Sequence, residues 1–212
     1  MVDIIRSCAN CGQIQTRAKT MLCHYCYLET QKYQIKKQTH ISLHDQQIPI
    51  YSLFDWKPQA SNALSSLMTS LKGRSPECVW MFYAAEFIQN RIGQNAIPKN
   101  SILVPCPNFQ KKEDHAFQFC QALSKLTGIS MKLLFISESQ THFRHQNRNL
   151  REANLKSRML WSEKFTKSEF QNQHIIFVDD IITTGTTVKS AYIQSIHCKS
   201  FEAWSLSYRT RR

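Results

Sequence analysis

Apolar residues recur along the chain in two periods, and the changes of period mark the elements. Residues 48–54 (IPIYSLF) read as a strand. From 62 to 71 (NALSSLMTSL) the spacing turns helical, with Ala63, Leu64, Leu67, Met68 and Leu71 on one face and Gly73 as a stop. Residues 78–92 form a second helix, rich in aromatics and ended near Gly93. Ile102, Leu103 and Val104 make a short buried strand that Pro105-Cys106-Pro107-Asn108 closes as a turn. A helix over 113–126 turns Phe117, Cys120 and Leu123 inward and stops at Gly128, and 132–136 is the next strand. The apolar run 175–178, a helix over 188–196 and a strand over 201–206 complete the pattern. Residues 32–43 show no clear period and read as a connector, and no strand is evident between 137 and 173. Strands alternating with helices at this interval predict an α/β fold, a mainly parallel sheet with crossover helices.

The densest chemistry lies at 175–188, IIFVDDIITTGTTV. Four apolar residues suit a strand buried on both faces, which delivers Asp179 and Asp180 to its carboxyl end. In open α/β sheets that edge is where ligands bind. The loop Thr183, Thr184, Gly185, Thr186, Thr187 leads into a helix, so its backbone N–H groups can turn toward a phosphate. Carboxylates repel phosphate, and they suit ribose hydroxyls or a hydrated Mg²⁺ beside it. A helix cap alone would account for one aspartate but not for two followed by a Thr/Gly loop.

Composition narrows the partners. The chain has 212 residues, enough for one α/β core with a small appendage, and its apolar content is too high for disorder. Its formal net charge is +12, and every quarter of the sequence is net positive. A broad positive field attracts polyanions: nucleic acid, phosphorylated metabolites or an anionic membrane surface. No stretch is apolar for long enough to span a bilayer, and the amino terminus lacks the apolar core of a secretory signal. A cytoplasmic protein is the expectation, with membrane association peripheral at most, and its eight cysteines are then thiols or metal ligands. Four of them form two CxxC pairs, Cys8/Cys11 and Cys23/Cys26, with eleven residues between the pairs. Two such knuckles can set four thiolates around one structural Zn²⁺, with turn N–H groups directed at sulfur. His24, inside the second knuckle, could replace a cysteine as ligand, although a neighbour is the simpler reading. A redox role would need a single CxxC at a strand-to-helix junction, which this segment does not offer.

One basic stretch stands out from the general excess. Residues 141–158 carry Arg144, Arg148, Arg151, Lys156 and Arg158 against Glu152 alone. Such a run can be a solvated helix face, a lid over an anionic ligand or a track for a nucleic-acid backbone. Phe143 beside Arg144, and Tyr25 and Tyr27 near the cysteines, are aromatics that can stack bases or simply pack.

The double CxxC, the VPCPN turn, the basic Gln/Arg/Asn segment and VDDIITTGTT, in that order, resemble the competence protein F family, type I phosphoribosyltransferase-like proteins with an amino-terminal zinc finger. The resemblance covers nearly the whole chain and implies a four-cysteine zinc finger over 1–31, a connector and helical hood over 32–100, and a phosphoribosyl pyrophosphate (PRPP) binding core over 101–212. It implies that Asp179 and Asp180 bind the ribose hydroxyls of PRPP with Mg²⁺, that Thr183 to Thr187 cradle the 5′-phosphate, and that Cys8, Cys11, Cys23 and Cys26 hold zinc. Gln146, Arg151 and Asn154 match the family's polar segment, with Leu150 one residue late. The PCPN turn falls where such folds commonly hold pyrophosphate, although a plain loop would read the same. Where relatives carry an Arg-Gly-Phe-Asn signature, this chain has Asp114-His115-Ala116-Phe117. By this resemblance the protein supports natural transformation, handling incoming single-stranded DNA beside a competence helicase or recombination mediator. The alternative is an active phosphoribosyltransferase of nucleotide salvage or modification, whose acceptor and general base the sequence does not identify.

Overall fold

The computed structural model describes residues 6–15, 20–57, 62–72, 75–92, 96–107, 115–137 and 159–209. A short ribbon, β1 (Arg6–Ser7) and β2 (Ile14–Gln15), and helix α1 (His24–Gln31) form the amino-terminal unit. The core follows as β3 (Thr39–Leu43), β4 (Gln46–Asp55), α2 (Asn62–Leu71), α3 (Glu77–Ile92), β5 (Ser101–Pro105) and α4 (His115–Thr127). It continues through β6 (Phe135–Ser137), β7 (Met159–Trp161), a 3-10 turn (Lys167–Phe170), β8 (His174–Ile182), α5 (Thr186–Gln194) and β9 (Ser200–Tyr208).

The central sheet has the order β3-β4-β9-β8-β5. The pairings β4/β9, β9/β8 and β8/β5 are parallel, and only the edge hairpin β3/β4 is antiparallel. The fold is therefore α/β with a mostly parallel sheet flanked by helices. Alternation along each strand sends side chains to two separate cores. Leu103, Ile176, Val178, Trp204 and Leu206 face α2, α3 and α4, whereas Ile102, Val104, Ile175, Phe177 and Ala203 face α5 and the β6/β7 ribbon.

The predicted α2 holds at both ends, and all five residues assigned to its apolar face are buried. Several expectations need correction. The connector contains β3, an edge strand in which only Ile41 is fully buried, so its alternation is weak. Phe119, not Phe117, is the buried aromatic of α4, because the inward face runs Ala116, Phe119, Cys120 and Leu123. The strand expected at 132–136 starts later, as β6, and leaves the main sheet to pair antiparallel with β7, which the sequence reading missed. Only Met131 bridges to Leu103 at the edge of β5. The helix expected at 188–196 starts two residues earlier. Gly73, Gly93, Asn108 and Asp114, and the basic stretch with Arg144, Arg148, Arg151, Lys156 and Arg158, lie outside the described residues, as do Phe143, Gln146, Leu150 and Asn154.

Candidate functional site

Strand β5 ends at Pro105, opposite Val178, while β8 runs on through Asp179 and Asp180 to Ile182. Both aspartates thus project past the end of the neighbouring strand, inside β8 rather than after it. The chain leaves β5 toward α4 on one face of the sheet and leaves β8 toward α5 on the other. Two crossovers diverging to opposite faces open a crevice between the carboxyl ends of their strands, the place where open α/β sheets bind ligands.

Alternation gives each face one carboxylate. Asp180 faces α4, where its Oδ2 lies 3.9 Å from Nδ1 of His115, the first residue of that helix. The separation is too long for a hydrogen bond and makes a charge pair only when the imidazole is protonated. Locally, the N–H of Asp180 donates to Asp179 Oδ1 at 2.9 Å, and the N–H of Ile181 donates to Asp180 Oδ1 at 2.8 Å. Both carboxylates are half-buried, as a ligand site requires. On the Asp179 side the sheet is lined with small polar residues: Ser205, its partner in β9, shares a 2.6 Å hydroxyl contact with Ser52.

The threonine loop turns sharply at Gly185, whose φ of +69° is the left-handed region. The first helical bond of α5 runs from Lys189 N–H to Gly185 C=O at 2.8 Å, so the earlier amides of the turn lack helical acceptors. Thr184 Oγ1 accepts from Thr186 N–H at 3.3 Å and meets Thr186 Oγ1 at 2.8 Å, while Thr183 and Thr184 are exposed. A helix start whose first amides lack helical acceptors, with its aligned dipole, is suited to an anion. Gly185 is also pressed against the edge hairpin: a Cβ there would lie 2.1 Å from Ile41 Cδ1. Gly185→Ala is expected to cost about 2–4 kcal/mol, combining left-handed strain with overpacking. In urea unfolding, Ile41→Val, which removes the obstructing methyl, should recover part of that loss in the double variant.

The second site is the cysteine cluster. The sulfurs of Cys8, Cys11, Cys23 and Cys26 lie within 4.8 Å of one another and can hold a metal ion. The knuckle geometry fits metal thiolates. Burial works to raise the Cys8 thiol, but backbone groups of Cys11, Cys23 and Asn10 outweigh it and bring it down to about 6. Cys26 is pushed up to about 12 by burial and by the neighbouring thiols, against a hydrogen bond from Asn10. Four sulfurs this close cannot all ionise by themselves, and a dication removes the conflict. His24 starts α1, exposed and edge-on to Tyr25, and takes no part in the cluster. Of the two nearby tyrosines, Tyr25 is exposed, whereas Tyr27 packs against Phe82 and donates to Glu86 Oε2 at 2.8 Å.

The structure thus joins Asp179, Asp180 and the threonine loop at one edge and gathers the four cysteines elsewhere. It adds His115, which the sequence reading noted only as a departure from a family signature. A histidine opening the helix after the first core strand was the signal that could have found it. Among the described residues no helix is long and apolar enough to cross a membrane. No protein-family model matches the chain, and the comparison with curated proteins finds no relative.

Proposed function

We propose that the crevice between β5 and β8 seats PRPP, in a protein of the phosphoribosyltransferase type that serves natural transformation. One observation carries the reading: twin aspartates project where the crossovers diverge, and a threonine turn opens a helix directly after them. Asp179 and Asp180 hold the ribose hydroxyls and the Mg²⁺ that accompanies the ligand, and the amides and hydroxyls of Thr183 to Thr187 hold the 5′-phosphate. The residues present fit that ion, since hard oxygen donors are what Mg²⁺ takes. In this reading the four-cysteine cluster holds structural Zn²⁺, and Arg144, Arg148, Arg151, Lys156 and Arg158 meet single-stranded DNA through its phosphates.

Isothermal titration of the full chain with PRPP and Mg²⁺ tests the seat. Asp179→Asn/Asp180→Asn should weaken binding by about tenfold or more, the worth of at least one lost contact of about 1.4 kcal/mol, with circular dichroism unchanged. Absence of binding by the native protein, or equal binding by the variant, rejects the assignment. DNA affinity that falls steeply with salt and survives the aspartate changes would mark a separate nucleic-acid surface.

A second reading, an active phosphoribosyltransferase of salvage or modification, is favoured by His115. An imidazole beside Asp180 supplies a group that can take a proton from an attacking nitrogen as the bond from ribose C1 to pyrophosphate breaks. Pyrophosphate release with a panel of bases, lost in His115→Asn while PRPP binding persists, would establish turnover.

A further inference from the structure

Sheet edges present a row of backbone N–H and C=O groups, and native proteins guard them with charged side chains, proline, bulges or a covering element. Among the described residues the edge at β3 has none of these guards. It ends the order β3-β4-β9-β8-β5 and pairs with β4 alone, in an unbroken register. Its sequence, Thr39-His40-Ile41-Ser42-Leu43, holds no lysine, arginine, carboxylate or proline, in a chain whose formal net charge is +12. The phase of the ladder shows which groups are left over. Leu43 pairs with Gln46 across the turn His44-Asp45, so Thr39, Ile41 and Leu43 direct their backbone groups at β4. His40 and Ser42 then direct theirs outward. Both residues are exposed, and neither makes a backbone hydrogen bond to another described element.

The charge pattern selects a second copy of the chain as the occupant. Two strongly positive chains repel, so a contact between them has to avoid cations, and β3 itself carries none. Antiparallel pairing of a strand with itself is also isologous, which a two-fold dimer requires. In the register centred on Ile41, His40 stands opposite Ser42 of the second copy, and Ser42 opposite its His40. Outward groups meet outward groups and form the closely spaced hydrogen-bonded pairs of an antiparallel ladder. The same register brings Lys37 to Asp45 of the second copy and Asp45 to its Lys37, because the two lie at equal distances along the chain from Ile41. Both side chains are exposed, and neither has an ion-pair partner among the described residues. Sliding the strands by two residues either way keeps the backbone match but separates both charge pairs. We propose that the chain forms a two-fold dimer through β3, which joins two five-stranded sheets into one, with a Lys37/Asp45 pair at each end of the junction. Ile41, at its centre, also lies against Gly185 in the threonine turn, so the junction backs that loop without belonging to it. The dimer does not depend on the sugar-phosphate reading.

Sedimentation velocity of the full chain from about 1 to about 100 µM should show a monomer–dimer equilibrium, the range in which small interfaces associate. Lys37→Asp should raise the dimer dissociation constant by about tenfold, since two attractive pairs become two like-charge pairs. General repulsion predicts the opposite sign, because the substitution lowers the net positive charge of each copy. Adding Asp45→Lys to Lys37→Asp should restore the native constant. Ser42→Pro removes one outward N–H from each copy, leaves the bonds to β4 intact and should yield monomer alone. Should that variant fail to fold, the charge exchange decides by itself. A chain that stays monomeric at every concentration overturns the proposal. So does a dimer indifferent to Lys37→Asp, which would place the contact elsewhere, or a loss that Asp45→Lys does not restore.

Discussion

Replacing Cys23 by serine is expected to destabilise the α2/α3 side of the molecule as well as the amino-terminal turns. Cys8 and Cys23 are buried, and with Leu22 they belong to the same core as Leu67, Trp80 and Tyr83. The unit is also tied down by polar contacts. Tyr83 Oη donates to the Thr20 carbonyl at 2.8 Å, Tyr27 reaches Glu86, and Ser66 Oγ donates to Asn10 Oδ1 at 3.1 Å. Asn10 in turn donates to Cys26 Sγ at 3.3 Å, so a sulfur of the cluster is linked through one side chain to α2. Structural zinc contributes about 10–16 kcal/mol in isolated finger peptides. Losing even a third of that, about 3–5 kcal/mol, corresponds to a drop of roughly 10 °C at 2–4 °C per kcal/mol for a chain of this size. Thermal melts of Cys23→Ser, and of the native protein after chelation, should show this shift in one transition that near-ultraviolet signals of the core tryptophans follow. An unchanged melt, together with elemental analysis finding no metal in the isolated protein, would remove the metal from the account.

The parts of the molecule that were legible in the sequence are those whose determinants are contiguous. α2 was readable because its apolar residues fall on one face of a regular helix, and the core of β8 because four apolar residues are buried on both sides of the sheet. β3 was not, since an edge strand buries one face at most and Ile41 is its only fully buried residue. β6 and β7 are three residues each, too short for a period of two to register. In α4, two phenylalanines separated by one position compete for the inward face, and packing against α3 and β8 selects Phe119. The candidate sites divide in the same way. Asp179, Asp180, the threonine loop and the paired cysteines are motifs within single stretches. His115 reaches Asp180 only through the packing of helices on the sheet, which no local pattern encodes.

Arg91→Met should be among the most damaging single changes outside the sites, and its cost should depend on pH. At the amino-terminal ends of β8 and β9, opposite the edge that carries Asp179 and Asp180, Arg91 Nη2 lies 3.0 Å from Glu202 Oε1. The guanidinium carbon sits 3.8 Å above the Tyr51 ring, and His174 Nε2 is 3.4 Å from Glu202 Oε2. His174 Nε2 faces that carboxylate without an aligned hydrogen bond. Burial works against the Glu202 carboxylate, but His174 and Arg91 outweigh it and hold its pKa below the ordinary value. A depressed folded-state pKa adds stability that is present above the unfolded pKa, about 4.3, and is lost as pH falls through the lower folded value. At neutral pH, removing Arg91 leaves a buried carboxylate without its main counter-charge, a loss of about 3–5 kcal/mol. In acid, where Glu202 can be neutral, the same substitution should cost less, so the gap between native and variant urea midpoints should narrow below about pH 4. Adding Glu202→Leu to Arg91→Met should restore part of the neutral-pH loss but not all of it. Trp204 Nε1–H would lose its acceptor and His174 the carboxylate it faces. A gap that stays constant from pH 7 to 3 would mean that Arg91 acts through its packing on Tyr51 and Trp204 rather than through its charge.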